Sequence, residues 1–435
     1  MGFRVESTAS PLVERKMTLA GVVAESFPKA EIYLRELADI EASAQRIRRI
    51  TSLRGRERIA LRKQITQYYL DASIPDQLGR VPDGVSSPRI AAISFDGGRL
   101  QVLDRSDEAT TARSQQRQSG HRRKGEHWKE SRVACVMSMT GQTHEVDPMP
   151  ELPAFLAGGA ELQRKLTEIG HVMALPASAS DDKQEQPSTP KPKSPRRSRK
   201  KTLPANERPL PGPDLVHRDC IASSECWRDF GETVAAEAWL KGFAGADRKV
   251  CICDGNDAIR RVCETHFSDY VHVLDLMHAL GYAMNAAGAV GGSREEIDQR
   301  YRRWAEQVWR GEVRLVIEEL DRHQEALGEA PKDAPADDPR EAIRRTRVYY
   351  TNQQSRMNYP AYRRQGFPLT SSLMESAVKQ IGRRVKGSEK FWSASGGDGM
   401  LALRGDFISD EARLTNFLAQ FAAPTDGTRA YSTAA

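Results

Sequence analysis

The chain has 435 residues, with 65 Lys and Arg against 59 Asp and Glu, giving a formal charge of +6. At ~100–200 residues per domain this is two or three units with room for a sizeable core. No apolar run approaches the ~18–20 residues of a membrane helix, residues 1–10 hold no apolar signal segment, and six cysteines without a Cys-x-x-Cys pair make neither a disulfide scaffold nor a zinc site of the usual spacing, so a cytoplasmic protein with no membrane contact is expected.

Residues 1–87 read as a helical N-terminal region. Ile32, Leu34, Leu37 and Ile40 form one apolar stripe, which Ala44, Ile47 and Ile50 continue after Ser43. Ser43 suits the cap of a short second helix carrying Arg46, Arg48 and Arg49, an arrangement that admits a DNA-binding helix-turn-helix, although basic amphipathic helices occur in many other settings.

From Pro88 the apolar period becomes two. Residues 89–95 and 99–103 read as strands, and the Asp96-Gly97-Gly98-Arg99 segment between them as a tight hairpin turn; residues 132–137 supply a third strand, just after Trp128. Residues 88–175 therefore begin an antiparallel meander. Residues 176–213 break the pattern: Lys191, Lys193, Arg196, Arg197, Arg199, Lys200 and Lys201 crowd into a Pro-rich stretch without a core, expected to be a disordered tether or a polyanion-contacting arm.

Helix and strand then alternate over residues 214–292. A helix is expected at 224–242, a short apolar strand at 249–253 ending in Asp254-Gly255, and another at 270–274 running through Asp275 into a helix with His278. Cys251 and Cys253 read as packed core. Hairpin strands first and parallel strands later make a mixed α/β sheet of the ribonuclease H-like kind. Residues 293–365 read as a helical insertion, with Asp338-Pro339 as an N-cap and first-turn proline. Residues 366–435 contain a closing helix from about Thr370, with Glu375, Lys379 and Arg383 four apart.

Three carboxylates stand at suggestive places: Asp96, Asp254 and Glu375. Mg²⁺ takes a few carboxylate oxygens and keeps open positions for water and phosphate. Two such ions ~3.5–4 Å apart clamp the attacking and leaving oxygens of a phosphoryl displacement. Each residue also has a plainer reading: Asp96 as turn chemistry, Asp254 as a cap of the following helix, and Glu375 as the partner of Ser372 in a capping box or of Lys379 in an ion pair. Asp275 and His278 share one helix face, where a capping Asp and a partly buried His are the plain alternative.

The string from Asn352 through Arg356, Tyr359, Tyr362 and Arg363 to Pro368, then Glu375, Ser376 and Lys379, then residues 382–388 and Trp392, resembles the C-terminal signature of bacterial insertion-sequence transposases of the ISKra type, similar to the broader Mutator-like group of DDE transposases. Phe95-Asp96-Gly97-Gly98-Arg99 and Asp254-Gly255 look like the first two acidic motifs of that family, and Asp275-x-x-His278 like the element after its second aspartate. The resemblance covers about residues 90–410. It implies a ribonuclease H-like core in which Asp96, Asp254 and Glu375 hold two Mg²⁺ ions, with Mn²⁺ as a substitute and His278 as an accessory residue. The activity implied is cleavage of double-stranded DNA at element ends and strand transfer into target DNA, by a homo-oligomer. Lys379, Arg383, Arg384 and Lys386 are then placed to hold DNA phosphates, with Arg46 and Arg49 as further DNA contacts. Two rivals stand beside this: a nuclease on the same scaffold without strand transfer, and a decayed or domesticated DNA-binding protein.

Overall fold

The computed structural model describes residues 9–103, 128–168, 210, 212–335, 337–387, 390–410 and 412–421; almost all of the basic 176–213 segment lies outside them. Two compact units emerge. The first comprises residues 1–141, 213–272 and 371–435, the second residues 142–212 and 273–370.

Four serines start the N-terminal helices. Ser10, Ser26, Ser43 and Ser73 each accept a hydrogen bond from a backbone N–H three residues on, at 3.3–3.4 Å, opening α1 (Pro11–Val23), α2 (Phe27–Ala38), α3 (Ala44–Leu70) and α4 (Ile74–Gly79). The expected apolar stripe on α2 is not the buried one. Ala30 and Leu34 face Met17, Ile47 and Ile50, whereas Ile32 is exposed and Leu37 is 82% exposed. A seam of residues four apart suffices because α2 is pressed into the corner between α1 and α3. Ser43 does cap a helix, but one of 27 residues rather than a short reading helix.

Among the described residues the sheet has six strands in the order β3-β2-β1-β4-β5, with β6 beside β1: β1 (Ile90–Val102), β2 (Trp128–Thr140), β3 (Asp214–Ser223), β4 (Arg248–Cys253), β5 (Val271–Leu274) and β6 (Phe391–Trp392). β1 is antiparallel to β2, β2 antiparallel to β3, and β1 parallel to β4. A mixed α/β sheet is thus present. Only the first two residues of β5 belong to this unit.

The expected hairpin at Asp96-Gly97-Gly98 is absent. Pairing runs straight through it, with Asp96 opposite Val133, Gly97 opposite Arg132 and Gly98 opposite Ser131, and neither glycine has a left-handed φ. The glycines answer to packing instead: a Cβ on Gly98 would lie 2.7 Å from Ser131 Oγ. The third strand of the meander is β3, whose polar start (Asp214, His217, Arg218, Asp219) hides the strand period in the sequence.

Alternation along β1 divides the two helical layers. Ala91, Ile93 and Phe95, with Cys251 and Cys253, pack under α6 (Trp227–Leu240) and α7 (Asp257–His266). Both cysteines are core, as expected. The opposite face, carrying Ala92, Ser94 and Gly98, is covered by α13 (Ser372–Val385) and α14 (Ala394–Ile408). α15 (Arg413–Ala419) closes the unit.

α3 crosses α14 at glycine on glycine. A Cβ on Gly55 would lie 2.7 Å from Gly399 Cα, which no side-chain adjustment relieves. Gly55→Ala is expected to destabilise by ~1–3 kcal/mol through overpacking, enough to outweigh the ~1 kcal/mol gained in helix propensity. Gly382→Ala, where a Cβ meets nothing within 4 Å, is expected to stabilise by ~0.5–1 kcal/mol. Urea midpoints of the two variants must move in opposite directions.

The second unit is helical: α5 (Ala160–Glu168), α8 (Leu276–Ala289), α9 (Arg294–Trp309), α10 (Val313–Leu327), α11 (Pro339–Gln353) and α12 (Tyr359–Arg364). Asp338 caps α11 ahead of Pro339, and Ser293 and Glu296 form a capping box on α9. Buried tyrosines satisfy their hydroxyls on main-chain carbonyls: Tyr301 donates to Leu156 (3.0 Å), Tyr350 to Ala279 (2.8 Å) and Tyr359 to Leu274 (3.1 Å). Arg363 is 1% exposed, lies over the Trp309 ring and donates to Asp147. Much of the 352–368 string is therefore packing seam. Among the described residues no helix is long and apolar enough to cross a membrane.

Candidate active site

β1 and β4 bring the two aspartates side by side. Ser94 is level with Ile252 at the end of their parallel register; Asp96 lies two residues further along β1, and Asp254 two residues further along the chain as it leaves β4. Val250 and Ile252 face away from the α6 and α7 layer, and Asp254 follows at the mouth of the strand. The chain then turns at once, through Gly255 at φ +86°, a conformation that favours glycine.

α13 delivers Glu375 to the same face. A Cβ on Gly98 would sit 3.9 Å from Val378, and the carbonyl of Gly387, past the helix end, accepts from the Gln101 side chain. The helix therefore runs alongside β1 in the same direction. Glu375 lies one turn before Val378, ~4.5 Å back, which is one to two residues of strand and so level with Gly97 or Asp96. All three carboxylates are half-buried, Asp96 on β1, Asp254 just past the last residue of β4, and Glu375 on the helix that runs beside β1.

The plainer roles fare unevenly. Asp96 is not in a turn; its Oδ1 accepts from the next residue's N–H, at 2.6 Å. The cap of α7 is Asn256, accepting from Ala258, while Asp254 accepts from the N–H of Asn256 at 2.9 Å. The capping box at Ser372 does not form, because Ser371 is the cap residue and its side chain does not cap the helix, which puts Met374 where the box needs the acid. Lys379 Nζ is 4.0 Å from Glu375 and its side chain is 61% exposed, an ion pair worth little.

Asp275 and His278 belong to the second unit. Asp275, fully buried, caps α8 by accepting from the His278 N–H at 3.1 Å, with His278 Nδ1 3.2 Å from the same oxygen. The plain alternative describes them.

The basic residues also divide. Lys379, Arg383 and Lys386 are exposed. Arg384 is 3% exposed: it donates to the Gly21 carbonyl and lies over the rings of Phe27 and Trp392, and burial holds its pKa down at about 10. It anchors α13 to the N-terminal helices and is not presented to a phosphate. Arg49 is exposed and Arg46 half-buried in the first turns of α3. There their charge adds to the positive end of the helix dipole instead of opposing it, an arrangement suited to an anion.

Among the described residues no three His, Cys, Asp or Glu side chains group closely enough to hold an ion as they stand. The donor chemistry nonetheless fits a hard divalent cation: three partly solvated carboxylates, from two neighbouring strands and a helix over them. One further observation points the same way. Ser94, on this face and fully buried, has a hydroxyl without a hydrogen-bond partner among the described residues. An unmade buried hydrogen bond costs ~1–3 kcal/mol, and Ser94 had no signal in the sequence beyond its place two residues before Asp96. No protein-family model and no curated protein matches this chain.

Proposed function

We propose that this chain is a DDE-type transposase that cuts and joins double-stranded DNA, with Asp96, Asp254 and Glu375 as the holders of Mg²⁺. What supports this reading is the placement of three acids, spread over almost three hundred positions, on β1, just past the end of its parallel neighbour β4, and on the helix beside β1. An antiparallel meander followed by a parallel strand supports a ribonuclease H-like core, and the acidic and C-terminal motifs add the family resemblance.

Bound divalent ions would supply activation of a water or a 3′-hydroxyl and stabilisation of the leaving oxygen. The chain's own residues do the rest. Asp96 projects from β1 and Asp254 directly follows the last residue of β4, so β1–β4 pairing sets where the two stand. Glu375, on a helix anchored by buried Arg384, is the one of the three carried by a different layer. Lys379, Arg383 and Lys386 extend a cationic edge from Glu375 along α13, and Arg46 and Arg49 add a second, where phosphates bind with a salt-dependent affinity.

The test is a strand-transfer assay with the full chain, Mg²⁺ or Mn²⁺, and labelled duplexes taken from the sequences flanking its own coding region. Nicked ends followed by joined products are expected. Cut product without joining would reassign the chain as a nuclease. Binding without cutting in either metal would reduce it to a DNA-binding protein.

A further inference from the structure

Ser94 sits where a hydroxyl is expensive and unexplained. Its strand neighbours on that face are Ala92 and Asp96, its cross-strand neighbours are Cys135 and Ile252, and its side chain is fully buried. Alanine would fill the position as Ala91 and Ala92 fill theirs, with no polar atom to satisfy. Groups that break this rule cluster where function repays the cost.

Its position says what the hydroxyl is for. Ser94 shares the face of Asp96 and, through Ile252, is as far behind Asp254 as it is behind Asp96. It is thus buried one step further along β1 from its open end than Asp96. We infer that Ser94 is a positioning residue: its hydroxyl, directly or through one buried water, donates to the Asp96 carboxylate and holds it turned for a divalent cation. A cation at Asp96 would turn that carboxylate onto the buried donor and complete its hydrogen bond. A hydrogen-bonded outer partner of this kind typically changes metal affinity 10–100-fold. The inference rests on the proposed function, since it needs a cation at Asp96.

Two measurements on the full chain test it: thermal unfolding without divalent ions, and calorimetric titration with Mn²⁺ alone. Ser94→Ala is expected to melt at or above the wild type, by up to about 2–4 °C, because it deletes an unsatisfied polar atom. The same variant should bind Mn²⁺ about 10-fold or more weakly. A purely structural serine would shift melting downward and leave Mn²⁺ affinity alone, and either result overturns the inference. Wild-type protein that binds Mn²⁺ while Ser94→Ala binds it equally well defeats only the role of Ser94. Wild-type protein that takes no Mn²⁺ at all defeats the proposed function along with it.

Discussion

Asp96→Asn, Asp254→Asn and Glu375→Gln are each expected to lower metal-dependent DNA cleavage by about 10³-fold or more while leaving the fold intact. Loss of one preorganised charge-stabilising group commonly costs 10²–10³-fold, and loss of a metal-holding acid is at the severe end of that scale. The amides are chosen to separate chemistry from structure. Asp96 and Asp254 each accept a backbone N–H, from Gly97 and Asn256, and an amide oxygen accepts the same bond. Only the charge is removed. DNA affinity should hold or rise slightly, because a negative charge leaves the vicinity of Lys379, Arg383 and Lys386. Filter binding and a cleavage time course on the same preparations decide the matter. Variants that cut at the wild-type rate would reduce Asp96 and Asp254 to local hydrogen-bond acceptors and Glu375 to a surface acid.

What the sequence disclosed follows from which forces are local. The short apolar strand at 249–253, the insertion helix capped by Asp338-Pro339, and Ser43 as a cap are written in neighbouring residues, and they stand where expected. The error at Asp96-Gly97-Gly98 came from treating glycine as a turn signal, when the need for it arises from Ser131 across the strand pair and Val378 on a helix 280 positions later. β3 escaped notice for a similar reason. Its first half carries Arg218 and Asp219, whose partners Asp410 and Arg413 lie some 190 residues away and are invisible to periodicity. For the candidate site the acids were legible but Ser94 was not, since an unsatisfied hydroxyl is a property of the packed state. Arg384 shows the converse: a basic run is read as facing phosphates, and tertiary packing took one member into the core.

Asp406→Asn is expected to destabilise the first unit by ~3–5 kcal/mol at pH 7, the largest stability effect of any substitution considered. The three arginines spaced four apart on α3, Arg54, Arg58 and Arg62, turn inward as a ladder, and Asp406 on α14, with a fully buried side chain, receives Arg58, Arg62 (3.1 Å) and Arg413 (3.0 Å). Arg413 also reaches Glu237 and Asp219, and Lys241 is 3.0 Å from Asp219. Neutralising the shared carboxylate leaves three guanidiniums crowded together with their solvation already lost and only Glu237 and Asp219 to balance them, and breaking a buried pair of this sort costs ~3–5 kcal/mol. Against a total stability of ~5–15 kcal/mol that is a third or more. The pH dependence provides the second half of the test. Burial works to raise the pKa of Asp406, but Arg62, Arg58 and Arg413 outweigh it and hold the carboxyl below its ordinary value; Asp219 is lowered in the same way, against its burial, by Arg413 and Lys241. A depressed folded pKa means that protons bind the unfolded chain more readily. The stabilisation is then complete above the unfolded value of ~3.9 and drains away as pH falls through the folded one. Wild type and Asp406→Asn should therefore differ most at neutral pH and converge below pH ~4 in urea titrations. A gap under ~1 kcal/mol at pH 7, or one that persists unchanged into acid, would mean that the ladder is held by packing and not by the charge at Asp406.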